Sequence, residues 1–147
     1  MPHFGLMNAD TLGPSRAALQ RARLHIRGGK RRLRQGKISA GIVTLYDALE
    51  CALEWYVSSP SRSGPLGLRE VEKRNSAAIY RRLVKLGTLG GSFDFVAFDS
   101  LVERALGEEL PEGAHGNLLE GLETVMRELG VMPFDEGMLP PESPQTF

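Results

Sequence analysis

Lys37 to Val57 reads KISAGIVTLYDALECALEWYV, and its apolar residues Ile38, Ile42, Leu45, Leu49, Ala52 and Tyr56 recur at alternating spacings of four and three. That alternation lays side chains along one face of an α-helix and does not suit a strand, whose faces alternate every two residues. Val43, Tyr46, Ala48, Leu53, Trp55 and Val57 widen the apolar face well beyond a narrow seam, so the segment is expected to touch neighbours on most sides. Such a helix needs other helices around it. The chain is therefore expected to be all-α, an up-and-down bundle of four main helices plus a short capping helix, with a Pro-rich extended C-terminal tail.

The flanking segments supply the other helices. Pro14 and Ser15 form a start signal, with Ser15 the expected N-cap ahead of Leu19, Ala22, Ile26 and Leu33. Gly28 and Gly29 cost this helix about 2 kcal/mol relative to alanines, so it either breaks there or uses bare backbone to approach helix two; the surviving apolar phase favours continuity. Gly36 ends it, and the few residues before helix two make the pair antiparallel neighbours. Ser58 to Leu68, SSPSRSGPLGL, has nothing to bury and reads as a mobile loop. Helix three is expected to carry Val71, Ile79, Leu83 and Leu86, with Asn75 as a semi-exposed or register position in its stripe, and to close at Gly87. After a turn at Thr88 to Ser92, Phe95, Phe98, Leu101, Val102, Ala105 and Leu106 form a short helix stopped by Gly107, whose phenylalanines plug one end of the core. Asn117 and Glu120 resemble a capping box opening a last helix with Leu118, Leu122, Val125, Met126 and Leu129, stopped by Gly130. The expected organisation is a loose arm over residues 1–13, one helical domain over 14–130 and an extended tail over 131–147. Phe134, Met138 and Leu139 in that tail are placed to dock on this protein or on a partner.

A length of 147 residues suffices for one self-sufficient core, and no apolar run approaches the roughly 20 residues of a membrane span. The N-terminus MPHFGLMNAD lacks the basic patch and apolar block of a secretory signal, and Cys51 is the only cysteine, so a cytoplasmic protein without disulfides and away from membranes is expected. Net charge is zero, yet residues 1–93 hold 16 Lys/Arg against 6 Asp/Glu while residues 94–147 hold 2 against 12. Two such halves attract each other, within one chain or between two copies.

Asp47, Glu50 and Glu54 lie at i, i+3 and i+7 on helix two and form a carboxylate stripe. A helical di-iron site needs Glu-x-x-His pairs on facing helices, and no Glu-x-x-His pair is expected here. The helical pyrophosphatase pattern also fails, because Glu120-x-x-Glu123 has no Glu-x-x-Asp after it. The stripe therefore reads as a wet or salt-bridged face, with a metal-dependent hydrolase as the remote reading. His3, His25 and His115 share no metal spacing with one another or with Cys51, whose acidic neighbours disfavour a thiolate. No catalytic residue, metal ligand or cofactor motif is assigned; Arg27-Gly-Gly-Lys30 resembles a phosphate cradle in composition alone.

The strongest polar signal is helix one, with nine Lys/Arg and no acid from Arg16 to Lys37. Like charges at this spacing weaken a helix, so the acidic half of the chain, a second subunit or an anionic ligand must compensate. Lys30, Arg31, Arg32 and Arg34 are the candidate nucleic-acid contacts, acting on phosphates without reading sequence.

Residues 17–57, AALQRARLHIRGGKRRLRQGKISAGIVTLYDALECALEWYV, resemble the first two helices of HEPN-type bundles. There a basic amphipathic helix ends in a short Gly-containing turn, and the next helix carries an Ala-rich run with a Glu, here Tyr46, Asp47, Ala48, Leu49 and Glu50. The resemblance covers roughly the first third of the chain. It implies an up-and-down helical core, often dimeric, in proteins that are ribonucleases or non-catalytic partners of nucleotidyltransferases. Ribonuclease members carry Arg, four to six residues, then His; Arg21 and His25 are too close for that motif, and the binding and partner roles remain. The functional expectation is a non-catalytic interaction and oligomerisation module, a homo-oligomer or the partner of another protein, with RNA binding through helix one as the alternative.

Overall fold

Helix α1, Pro14–Arg34, runs unbroken through Gly28 and Gly29. It opens with Pro14 in its first turn, after Gly13 at φ 83°, and no side chain caps it. Ser15 is therefore not the expected N-cap. Proline needs no partner for a missing N–H and has φ already set for a helix; the Ser15 hydroxyl instead lies 2.9 Å from that of Ser58. At the other end Gly36, at φ 78°, donates to the Leu33 carbonyl and Lys37 donates to that of Arg32. These two bonds satisfy carbonyls that the helix itself leaves open.

The computed structural model describes residues 13–143. The expected arm over 1–13, Gly13 apart, and residues 144–147 of the tail fall outside the described residues. Among the described residues there are six α-helices and no strand: α1, then α2 (Ile38–Ser58), α3 (Pro60–Ser63), α4 (Ser76–Lys85), α5 (Phe95–Gly107) and α6 (Leu118–Leu129). Short 3-10 turns occupy Gly64–Leu66, Glu72–Arg74 and Glu136–Met138.

α1 and α2 form an antiparallel hairpin, with Ser15 against Ser58, Arg21 against Glu54 and Gly29 against Leu45. Its closeness explains the second of the paired glycines: a Cβ on Gly29 would stand 2.7 Å from Leu45 Cδ2, whereas one on Gly28 would come no nearer to α2 than 3.9 Å, at Thr44. α2 is the central element. Ile38, Ile42, Leu45, Leu49 and Ala52 are buried as the periodicity predicts, joined by Ala48 and Leu53, while Tyr56 is half-buried. Against this face pack Ile26 of α1, Leu83 of α4, Phe98 of α5 and Leu122 and Met126 of α6, all in one core.

Both ends of α2 are completed by residues outside it. At its start Glu109 Oε1 accepts from the N–H groups of Ile38 and Ser39, a carboxylate at the positive end of the helix dipole. At its other end Arg62 donates to the carbonyls of Trp55 and Tyr56 and lies 4.1 Å from the Trp55 ring centroid. That pairing corrects the reading of Ser58 to Leu68 as a loop with nothing to bury. The segment carries α3 and a 3-10 turn, and Leu66 is buried in the core.

Two helix starts also differ from expectation. α4 begins at Ser76, and Asn75 is its N-cap, accepting from the Ala78 N–H; it is not a polar position within a longer stripe. Val71 lies outside the helix, next to the 3-10 turn at Glu72–Arg74, and is exposed. α6 follows Asn117, but the Asn117 side chain makes no capping bond, so a capping box is not formed. α5 is capped by Asp94, which accepts from the Ala97 N–H. Its aromatic residues, with Phe93 just before it, meet those of α2 and α4: Tyr46 with Phe95 and Phe98, and Tyr80 with Phe93 and Phe95.

Candidate functional site

Several cations of α1 meet carboxylates of other elements, Glu54 from the basic half of the chain and Glu123 and Glu142 from the acidic half. Arg21 pairs with Glu54 of α2 at 3.2 Å, and Lys30 with Glu123 of α6 at 3.7 Å. Beyond α6 the segment from Val131 to Glu142 reaches back along α1. Arg23 Nε donates to the Val131 carbonyl, and its guanidinium lies 5.4 Å from the Phe134 ring centroid. Arg27 donates to the Pro140 carbonyl at 2.6 Å. Glu142 then places one carboxylate oxygen 3.4 Å from Arg27 Nε and the other 2.9 Å from Arg31 Nε. The Glu142 side chain is 12% exposed and that of Arg31 6%, so the pair is largely withdrawn from solvent. Deleting either partner of a charge pair withdrawn in this way would strand the other.

The four candidate nucleic-acid contacts are thus in four different situations. Lys30 is half-buried and paired with Glu123. Arg31 is buried, bonded to Gln35 Oε1 and paired with Glu142. Arg32 is half-buried and folds back over α1, its Nη1 2.9 Å from where a Cβ on Gly28 would stand. Its pKa is lowered, first by burial and then by the charge of Arg31, with Glu142 acting the other way. Arg34 is exposed. Consecutive positions on a helix point in different directions, and the acids took those facing the fold. Arg27 and Glu142 are site residues that the sequence reading missed. The charge asymmetry announced a pairing, and no spacing rule says which distant acid meets which arginine.

The carboxylate stripe lies on the outer face of α2. Glu54 is engaged by Arg21. Burial raises the pKa of Asp47, and burial followed by the charges of Asp47, Asp99 and Glu54 raises that of Glu50. Asp99 joins the group from α5, beside Tyr46, whose hydroxyl is pushed up to about 12 by burial and then by Glu50 and Asp99. No group of three or more His, Cys, Asp or Glu arranged to hold a metal occurs among the described residues. A Glu-x-x-His spacing exists at Glu112 and His115, but it falls in the loop before α6, around left-handed Gly113. Cys51 is half-buried and its thiol is pushed up to about 11, mainly by burial and against the pull of Arg21. A raised pKa favours the neutral thiol over the thiolate at neutral pH.

Two grooves flank α5, each of about 480 Å³. One lies against α4 and is lined by Ala77, Tyr80, Phe93, Phe95 and Val96; the other lies against α6 and includes Asp94, His115 and Gly121. Val96 and Leu106, near the two ends of α5, are exposed. Among the described residues no helix is long and apolar enough to cross a membrane.

No protein-family model matches this sequence, and neither a curated protein nor a solved structure matches it.

Proposed function

We propose that this chain is a non-catalytic helical interaction module that self-associates, an up-and-down bundle whose first hairpin is of the HEPN-like kind and whose Pro-rich tail straps that hairpin. The observation that carries this reading is a pair of exposed apolar side chains near the two ends of α5, with Asp99, Ser100 and Glu103 exposed between them. Val96 and Leu106 are 76% and 70% exposed, within about 80° of each other around the helix and roughly 15 Å apart along it. Beside Val96 runs the groove rimmed by Tyr80, Phe93 and Phe95. Aromatic and aliphatic anchors next to a groove suit association with another protein surface. The cations of α1 add support from the other side, since Arg21, Arg27, Lys30 and Arg31 already have carboxylate partners within the chain.

Light scattering after gel filtration tests this reading. The wild type is expected to run as a dimer or larger at tens of micromolar, and the double variant Val96→Asp, Leu106→Asp as a helical monomer. A wild type that stays monomeric at every concentration overturns the reading. RNA binding through the first helix is the second reading, supported by Arg34 and Lys37, which stay exposed at its C-terminal end. It requires binding to single strands at low salt, with a log–log salt slope of about −0.7 per phosphate contacted. No binding at low salt removes it.

A further inference from the structure

Arg27 and Arg31 stand one helical turn apart, so their guanidinium groups can reach a common point. Glu142 occupies that point, with a separate carboxylate oxygen on each Nε. Arg32 extends the cluster from the side: Gly28 has no Cβ, and Arg32 Nη1 lies 2.9 Å and Arg31 Nη2 3.9 Å from where one would stand. The helix backbone is thus bare where the guanidinium groups gather. We propose that Arg27, Arg31 and Arg32 form an oxyanion pocket on α1, that Glu142 is its built-in occupant, and that a dianionic phosphate group, free or as a monoester, competes with Glu142 for it. This inference does not depend on self-association.

The chemistry of the pocket suits phosphate. Guanidinium forks bind carboxylate and phosphate by the same paired N–H···O geometry. A carboxylate offers two oxygens and one charge, whereas a phosphate monoester offers three oxygens and about −1.5 to −2 charge at pH 7. The occupant is also on a segment that can leave without unfolding a helix. Between Met132 and Glu142 the strap contains only the 3-10 turn Glu136–Met138, whose Asp135 carboxylate accepts from Gly137 within the strap itself. Met138 at the end of that turn is 82% exposed. Among the contacts that hold the strap to α1 are those of Arg23, Arg27 and Arg31, two of which belong to the pocket, while Met132 and Phe134 pack against the core at the strap's near end.

A tethered occupant competes at an effective concentration on the order of millimolar. A free anion therefore meets a wild-type pocket that is mostly filled, and removing the Glu142 charge opens it. Calorimetric titration of the full chain with inorganic phosphate, against potassium chloride at matched ionic strength, is expected to give at least tenfold tighter binding to Glu142→Gln than to wild type. Adding Arg31→Gln to Glu142→Gln is expected to abolish that binding, while adding Arg16→Gln, an exposed position on the same helix, leaves it unchanged. A Glu142→Gln protein that is helical by circular dichroism yet shows no phosphate binding beyond the chloride control overturns the proposal.

The wild type supplies a check that needs no variant. Phosphate should speed cleavage of the strap by a Glu-specific protease at Glu136 more than chloride does, and equal rates in the two salts overturn the proposal. Phenyl phosphate separates the sources of the anion. Binding at least as tight as inorganic phosphate supports a monoester ligand, and its exclusion alongside phosphate binding supports the free anion.

Discussion

Gly29 and Gly41 face each other across the α1–α2 hairpin, so close that a Cβ on Gly41 would stand 3.2 Å from the Gly29 carbonyl oxygen and 2.8 Å from Leu33 Cδ2. The two backbones pack with almost nothing between them, and Leu33 and Leu45 fill the space on either side. A glycine inside a helix costs about 1 kcal/mol against alanine, so both positions give up helix propensity for proximity.

Substitution at the adjacent glycines should therefore have opposite signs. Gly29→Ala gains propensity but drives a methyl into buried Leu45, an overpacking that costs about 1 to 3 kcal/mol, so a net loss of about 1 kcal/mol is expected. Gly28→Ala meets only the mobile end of Arg32 at close range and should be neutral or stabilising by up to about 1 kcal/mol. Urea denaturation of the two variants measures this, and stabilisation by both would show that the helices do not need the contact.

The aromatic cluster makes a larger demand. Phe98 is fully buried, with its ring centroid 5.5 Å from that of Tyr46 and 5.6 Å from that of Phe93. Phe98→Ala should cost about 3 to 5 kcal/mol, whereas Val96→Ala, on the outer side of the same helix, should stay within about 0.5 kcal/mol. Equal losses at the two positions would mean that α5 is rotated from the orientation described.

The carboxylates of α2 predict a pH dependence. Asp47 and Glu50 have folded-state pKa values raised above their ordinary 3.8 and 4.5, so the folded chain binds their protons more tightly than the unfolded chain does. The penalty is present in full above the raised values and is relieved as pH falls through them. The variant Asp47→Asn, Glu50→Gln should melt higher than wild type at pH 7, with the difference shrinking toward pH 4. Both groups are well exposed, so solvent screening holds the effect below about 1 kcal/mol. A variant that melts lower than wild type at pH 7 would show these carboxylates to be stabilising partners.

Much of this architecture was legible in the sequence because helical periodicity is a local property. Ile38, Ile42, Leu45, Leu49 and Ala52 are buried as their spacing requires, and Gly36 and Gly130, both at positive φ, end their helices as expected. What failed was chemistry that depends on partners elsewhere. Asn75 resembled a flaw in an apolar stripe because a cap and a mid-helix polar residue differ only in where the chain turns. Ser58 to Leu68 resembled slack because the interaction that holds it, Arg62 on the end of α2, leaves no periodic trace. The basic helix was legible as a charge excess needing compensation, one candidate being the acidic half of the chain. The identities of Glu123 and Glu142 were not, since a salt bridge across the fold has no sequence spacing.

The strap imposes an order on synthesis. Arg23 and Arg27 take backbone partners that lie 108 and 113 positions further along the chain. A ribosome adding roughly 5 to 20 residues per second needs on the order of ten seconds to cover that distance. During that interval the first hairpin can form, its helices and their glycine contact already complete, while Arg27, Lys30 and Arg31 still await Glu142 and Glu123. Within the first hairpin only Arg21 already has its carboxylate, Glu54, so that helix carries a local excess of cations until the strap and the last helix are made.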